Sequence, residues 1–224
     1  MKDKKIFERK AFAHPEKFGI RFFLMLLGII IQGLGLSFLI RINLGTDPCS
    51  VFTIGINHYI PISFGTCQVL CHLINFLIVV RFDRSRISFG TIGNMCCLGY
   101  VVDFFSWIWN GVFAEGFFDS LTIRYLFLVP ALFVFIVGAA LYMSADLGLS
   151  PYDGVPFIIS EHCHRFSFQV VRMSWDIAYM TVGFLLGGPV GIVTVGVAFF
   201  LGPVIGVMKQ KIEKILEGKE NEKI

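Results

Sequence analysis

Six separate runs of mostly apolar residues, each about 18 to 20 long, constrain this chain more than any other feature: 22–41, 65–82, 90–109, 125–144, 168–187 and 190–208. An α-helix rises 1.5 Å per residue, so about 20 such residues cross a hydrocarbon core of about 30 Å. With 55% hydrophobic residues and 25 phenylalanines among 224, the composition is that of an integral membrane protein. The expected fold is all-α: about six transmembrane helices, with a basic tail at 1–21, a first membrane unit at 22–109, a loop at 110–124, a second unit at 125–208 and a second tail at 209–224. The first run follows a basic lead and shows no small-residue cleavage signature, so it reads as a retained helix rather than a signal peptide.

The placement of Lys and Arg gives an orientation, because these residues are retained on the cytoplasmic side. With six spans and a cytoplasmic N-terminus, 16 of the 19 basic residues fall inside, only Arg41 and Arg124 fall outside, and Arg172 lies within a span. Counting 48–60 and 151–161 as two further crossings gives 14 inside against four outside. Those two segments, 13 and 11 residues long, would cover only about 20 and 16 Å as helices.

The phrase "NLGTDPCS" at Asn43 to Ser50 returns as "DLGLSPYD" at Asp146 to Asp153, 103 residues later. At that offset Ile20 and Arg21 fall on Ile123 and Arg124, Thr91 on Thr194, Gly93 on Gly196 and Gly99 on Gly202. The chain therefore reads as an internal repeat. Three spans per copy is an odd number, so the copies are expected to lie inverted, a recurrent plan for secondary transporters that hold solute near the midplane. Asp47 and Ser150 each precede a proline, the order of a helix N-terminus. A short helix starting there is either re-entrant or interfacial. In the re-entrant case its free N–H groups suit a carboxylate, phosphate or other anionic group. Gly45, Thr46 and Asp47, with Gly148, Leu149 and Ser150, are accordingly candidate substrate-binding residues, the glycines allowing a tight turn.

Polar residues inside the spans supply a second pointer, since ionisable groups in hydrocarbon face a partner or a cavity. Arg172 and Asp176 are four apart and can pair on one helix face. Their counterparts in the first copy, shifted by 104, are Gln68 and His72, with Asn75 matching Tyr179. These four residues, Gln68, His72, Arg172 and Asp176, complete the candidate site, either as a solute path or as a locked set holding helices together. Gln32 and Asp103 are further embedded polar groups.

Other motifs carry less. Cys67 and Cys71 one turn apart, and His162-Cys163-His164, could hold a soft metal, but no C-x2-C pair occurs, so neither a metal nor a disulfide is expected. The small-xxx-small pairs Gly183/Gly187 and Gly202/Gly206 suit close helix packing. No phosphate-cradling G-x-x-x-x-G-K-[ST] sequence is present, no cofactor motif, and nothing that suggests nucleic-acid binding.

The paired "LGTDPCSVFTIGI" and "LGLSPYDGVPFII", with "ISFGTIGNMCCLGYVVDFF" and "VGIVTVGVAFFLGPVIGVM", resemble the bacterial YczE/YyaS/YitT family of membrane proteins, its YczE branch most of all. The chain departs from that family at Tyr152-Asp153, where members often carry a charged pair. The resemblance implies a small bacterial inner-membrane protein of permease type and brings no substrate with it. Together these readings give a secondary transporter or exporter of a small molecule, anionic on the helix-start argument, with lipid and solute as partners and a second copy of the chain as a candidate partner. The alternative is a non-transporting scaffold that recruits a partner. Enzymatic activity is not expected.

Overall fold

The structure is a computed structural model, and it describes residues 17–163 and 165–199 together with Phe12 and Val207. Among them the chain is all-helical. Its helices are α1 (Phe18–Ile42), α2 (Pro48–Asn57), α3 (Phe64–Phe82), α4 (Phe89–Val112), α5 (Leu121–Ser144), α6 (Pro151–His162) and α7 (Phe168–Leu185), followed by a helical stretch at 192–199. The tails at 1–21 and 209–224, the sixth expected span beyond residue 199, and the Gly202/Gly206 pair lie wholly or mostly outside the described residues, as does His164.

Serine or aspartate marks where most of these helices begin. Asp47, Ser63, Ser88, Ser120, Ser150 and Ser167 stand directly before α2 to α7, and the side chains of Asp47, Ser63 and Ser150 accept from the Ser50, Thr66 and Asp153 N–H groups, the short polar caps that satisfy free N–H groups at a helix start. The helices run a few residues past the apolar windows, so α1 starts at 18 rather than 22 and α5 at 121 rather than 125. Hydropathy marks the hydrocarbon core, whereas capping marks the helix.

Among the described residues four helices, α1, α3, α4 and α5, are long and apolar enough to cross a membrane. The fifth expected span coincides with α7, which carries Arg172 and Asp176 and is less apolar. At 10 and 12 residues, α2 and α6 reach only about 15 and 18 Å. Neither can span a hydrocarbon core.

The two repeated phrases adopt one conformation. Asn43 and Asp146 take left-handed φ values of 55° and 54°, and Gly45 and Gly148 take 96° and 106°. Asn and Asp tolerate the left-handed region, while the second position requires a residue without Cβ. Each turn then docks on the other half of the chain. The Gly90 N–H donates to the Leu147 carbonyl at 2.7 Å, and the Val193 N–H to the Leu44 carbonyl at 3.4 Å. A Cβ on Gly45 would meet the Thr194 hydroxyl at 2.5 Å, and one on Gly148 the Thr91 hydroxyl at 2.7 Å.

The largest interface is α1 against α5, and the order of its contacts shows the two helices antiparallel. Gly28 abuts Tyr142, Gly138 abuts Gln32, and Gly35 abuts Phe135. Glycine at these crossings lets the backbones touch, the mode by which helices associate where no hydrophobic drive separates protein from lipid. Around that interface α2 packs on α7, α3 on α6, and α4 on both α1 and α3.

The two ends of the bundle differ in their polar contacts. At one end Arg86 meets Glu161 at 2.6 Å, and Arg21 donates to the Ala145 carbonyl at 3.2 Å. At the other end Arg41 donates to Asn110 at 2.5 Å and lies over the Phe118 ring, while Arg124 donates to the Phe118 carbonyl.

Candidate functional site

Between α1, α3, α4, α5, α7, the stretch at 192–199 and the starts of α2 and α6 lies a cavity of about 600 Å³, within the range that holds a small molecule. Its position follows from the short helices. Because α2 and α6 do not cross the bundle, their N-termini end inside it, and both caps, Asp47 and Ser150, line the cavity. Irregular backbone at such depth is tolerated where protein buries it or where it borders a wet space.

Each start is capped by its own side chain. The Ser50 N–H donates to Asp47 Oδ2 at 3.1 Å, and the Asp153 N–H donates to Ser150 Oγ at 3.1 Å. Ser150 Oγ in turn donates to Asp153 Oδ2 at 2.7 Å. One N–H at each start is therefore already taken by a side chain. A protein carboxylate already stands at the start of α2, and one at Asp153 in the first turn of α6, where the helix dipole favours negative charge.

Gln68, His72, Arg172 and Asp176 also line the cavity. The α3 and α7 stripes thus face one space, and one turn along, Tyr179 donates directly to Asn75 Oδ1 at 2.9 Å. Arg172 Nε donates to Asp176 Oδ2 at 3.2 Å, the (i, i+4) pair. Its Nη1 also bonds Asp153 Oδ1 on α6, its guanidinium lies 5.0 Å from the Tyr152 ring centre, and Tyr152 donates its hydroxyl to Asp176 Oδ1. One guanidinium therefore sits between two carboxylates from two helices. Asp103, by contrast, accepts from the Gly65 N–H at 2.9 Å and ties α3 to α4.

The remaining candidates lie elsewhere. Thr46 is fully buried, with its hydroxyl against the Asp47 carbonyl. Gly45 and Gly148 are spent on the turns and the close approaches to Gly191 and Ser88, and Leu149 does not line the cavity. Sequence reasoning left out Asp153 and Tyr152 as site residues. A signal for Asp153 was available: Ser150-x-x-Asp153 has the spacing of a capping box.

Several polar atoms of the lining have no hydrogen-bond partner among the described residues: Gln32 Oε1, Asp47 Oδ1, Gln68 Oε1 and His72 Nδ1. Gln68 and His72 are each only 2% exposed. Buried polar groups are otherwise almost always paired, and an exception calls for a cause such as strain, a chemical role or a water or ion beside it. Leu36, Leu98, Phe135, Met143 and Met173 supply the apolar wall. Among the described residues no group of three or more His, Cys, Asp or Glu side chains is placed to hold a metal ion.

Proteins similar to this one are membrane proteins or have no described activity. Over 184 residues the chain is 29% identical to an uncharacterised protein of Haemophilus influenzae, covering 81% of this chain and 80% of the other. It is 25% identical over 179 residues to the uncharacterised membrane protein YczE of Bacillus subtilis, covering 80% of each. With YyaS of the same organism it shares 23% identity over 192 residues, or 84% of this chain and 92% of that one. No solved structure matches the chain. The capped short helices, the glycine-packed α1–α5 pair and the cavity all fall within residues 19–210, the segment that matches the family of unknown function DUF6198, and the chain belongs to that family, in the company of the YczE- and YyaS-type membrane proteins.

Proposed function

We propose that this protein is a secondary transporter of a small molecule across the bacterial inner membrane, working by alternating access, with both termini cytoplasmic. The observation that carries the reading is the cavity itself: two short helices from the two halves of the chain end in it, and buried polar atoms without partners line it. The antiparallel α1–α5 packing and the exchanged contacts, Gly90 with Leu147 and Val193 with Leu44, suit two copies related by inversion. The end that holds Arg21, Arg86 and Glu161 is then cytoplasmic, and the end that holds Arg41 and Arg124 extracytoplasmic. Exposed Leu126, Val129 and Phe133 on α5 face lipid. In such folds the two halves rock about a fixed site.

Rocking makes a prediction at matched positions of the two ends. Spin labels on a Tyr59→Cys/Thr122→Cys variant report the extracytoplasmic end, and labels on a His162→Cys/Gly19→Cys variant report the cytoplasmic end. All four positions are exposed. Pulsed electron spin resonance in lipid should give two distance populations for each pair, with the longer distance at one end dominant under conditions where the shorter dominates at the other. One narrow population at both ends would favour a scaffold whose polar groups only pin helices together.

A further inference from the structure

The charges around the cavity do not balance. Among the described residues its lining holds three carboxylates, Asp47, Asp153 and Asp176, against one guanidinium, Arg172. Arg172 is already engaged by Asp153 and Asp176, so it holds no charge in reserve for an incoming anion. Asp47 is different: its Oδ2 accepts from the Ser50 N–H, while Oδ1 is buried without a partner. A buried carboxylate oxygen left unpaired is costly, and a cation beside it recovers much of that cost. Gln68 and His72, buried on α3 and each with an atom lacking a partner, stand at the same space. Leu36, Leu98, Phe135, Ala139, Met143 and Met173 give the wall an apolar stretch beside these polar groups, which suits a hydrocarbon body.

We infer that the cavity takes an amphipathic organic cation, an ammonium group on an apolar body, with Asp47 Oδ1 as its counter-ion and first acceptor. The inference deepens the proposed function, and it rests on the cavity being the solute site rather than on alternation. An exposed ammonium gains little from a carboxylate in water, whereas a pair screened by protein gains several times more. Selectivity for charge should therefore be large, and selectivity among bodies of similar size modest.

The test is binding to the full chain in lipid nanodiscs, with empty nanodiscs subtracting lipid partition. Three probes of one shape are compared: 2-phenylethylammonium, neutral 2-phenylethanol and anionic phenylacetate. The ammonium is expected to bind saturably and at least tenfold more tightly than the other two. Asp47→Asn should bring the ammonium to within threefold of the alcohol. That variant keeps the cap of α2, because Asn caps a helix about as well as Asp, and wild-type charge selectivity needs no variant at all. Absence of saturable ammonium binding, equal or tighter binding of phenylacetate, or an Asp47→Asn variant that binds the ammonium as wild type does would each overturn the inference. Ammonium binding without two conformations in the spin-label experiment would leave the site intact and remove transport. Two conformations with preference for phenylacetate would do the reverse.

Discussion

Arg172→Gln is expected to destabilise the protein by about 3 kcal/mol, the cost of leaving the buried Asp176 and the part-buried Asp153 without their counter-charge, and by on the order of 10 °C in thermal unfolding for a chain of this size. Two carboxylates lose their partner in this variant, because Asp153 and Asp176 share the one guanidinium. Asp176 is the more enclosed, its side chain only 6% exposed. Its bond from Tyr152 offsets only part of the loss. The arrangement of three charges rather than two changes what a compensating variant must do. Arg172→Gln/Asp176→Asn still leaves Asp153 as a carboxylate beside Ser150, so it should recover only part of the stability. Adding Asp153→Asn should recover most of the rest, since removing a whole buried ionic set is often neutral. Thermal unfolding of the three variants in one detergent orders them. A double variant as stable as the triple would show that Asp153 does not depend on Arg172.

The second large effect is expected at the α1–α5 crossing. A Cβ on Gly138 would lie 2.5 Å from Gln32 Cα and 2.7 Å from the Ile31 carbonyl carbon, and one on Gly35 would lie 2.6 Å from Phe135 Cα. These are backbone atoms, which no rotamer change can move aside, so the helices themselves must separate. Even Gly138→Ala should cost about 1 to 3 kcal/mol from overpacking. Gly138→Leu should prevent recovery of monodisperse protein, because separating the largest interface opens the wall that Gln32, Leu36, Phe135 and Ala139 give the cavity. Gly111→Ala in the last turn of α4 is the control: nothing lies within 4 Å of the added atom, and alanine is a better helix former than glycine. Size-exclusion chromatography of the variants separates the outcomes, and a monodisperse Gly138→Leu protein would contradict the close approach.

Much of this arrangement could be read from local chemistry. Pro48 and Pro151 after a capping residue announced two helix starts, and length alone barred those helices from spanning. The pairing of Arg172 with Asp176 followed from a four-residue spacing on one helix. What local reading could not supply was contact between distant segments. Asp153 meets Arg172 across 19 residues and two helices, and neither residue's neighbours in sequence specify that meeting. Thr91 and Thr194 were visible only as repeat markers. Their part is to face Gly148 and Gly45 at close range, which needs the two halves to be folded against each other. The anion expectation weighed each helix start for its dipole and treated the carboxylate beside it as a separate feature. Gly45, Thr46, Gly148 and Leu149 belong to the same phrases as Asp47 and Ser150, yet of these six only the two caps line the cavity. Proximity in sequence to a lining residue does not place a side chain in the lining.

The most direct measurement concerns the cavity's access. Cys49 lines it and is buried, so a chain that keeps Cys49 and replaces Cys67, Cys71, Cys96, Cys97 and Cys163 carries one natural reporter. A small membrane-impermeant thiol reagent is applied to right-side-out vesicles and, separately, to inside-out vesicles. The account predicts that Cys49 reacts from each face in turn, because one cavity opens to both sides at different times. Reaction from a single face, or from neither, would contradict alternating access and return the protein to the scaffold reading.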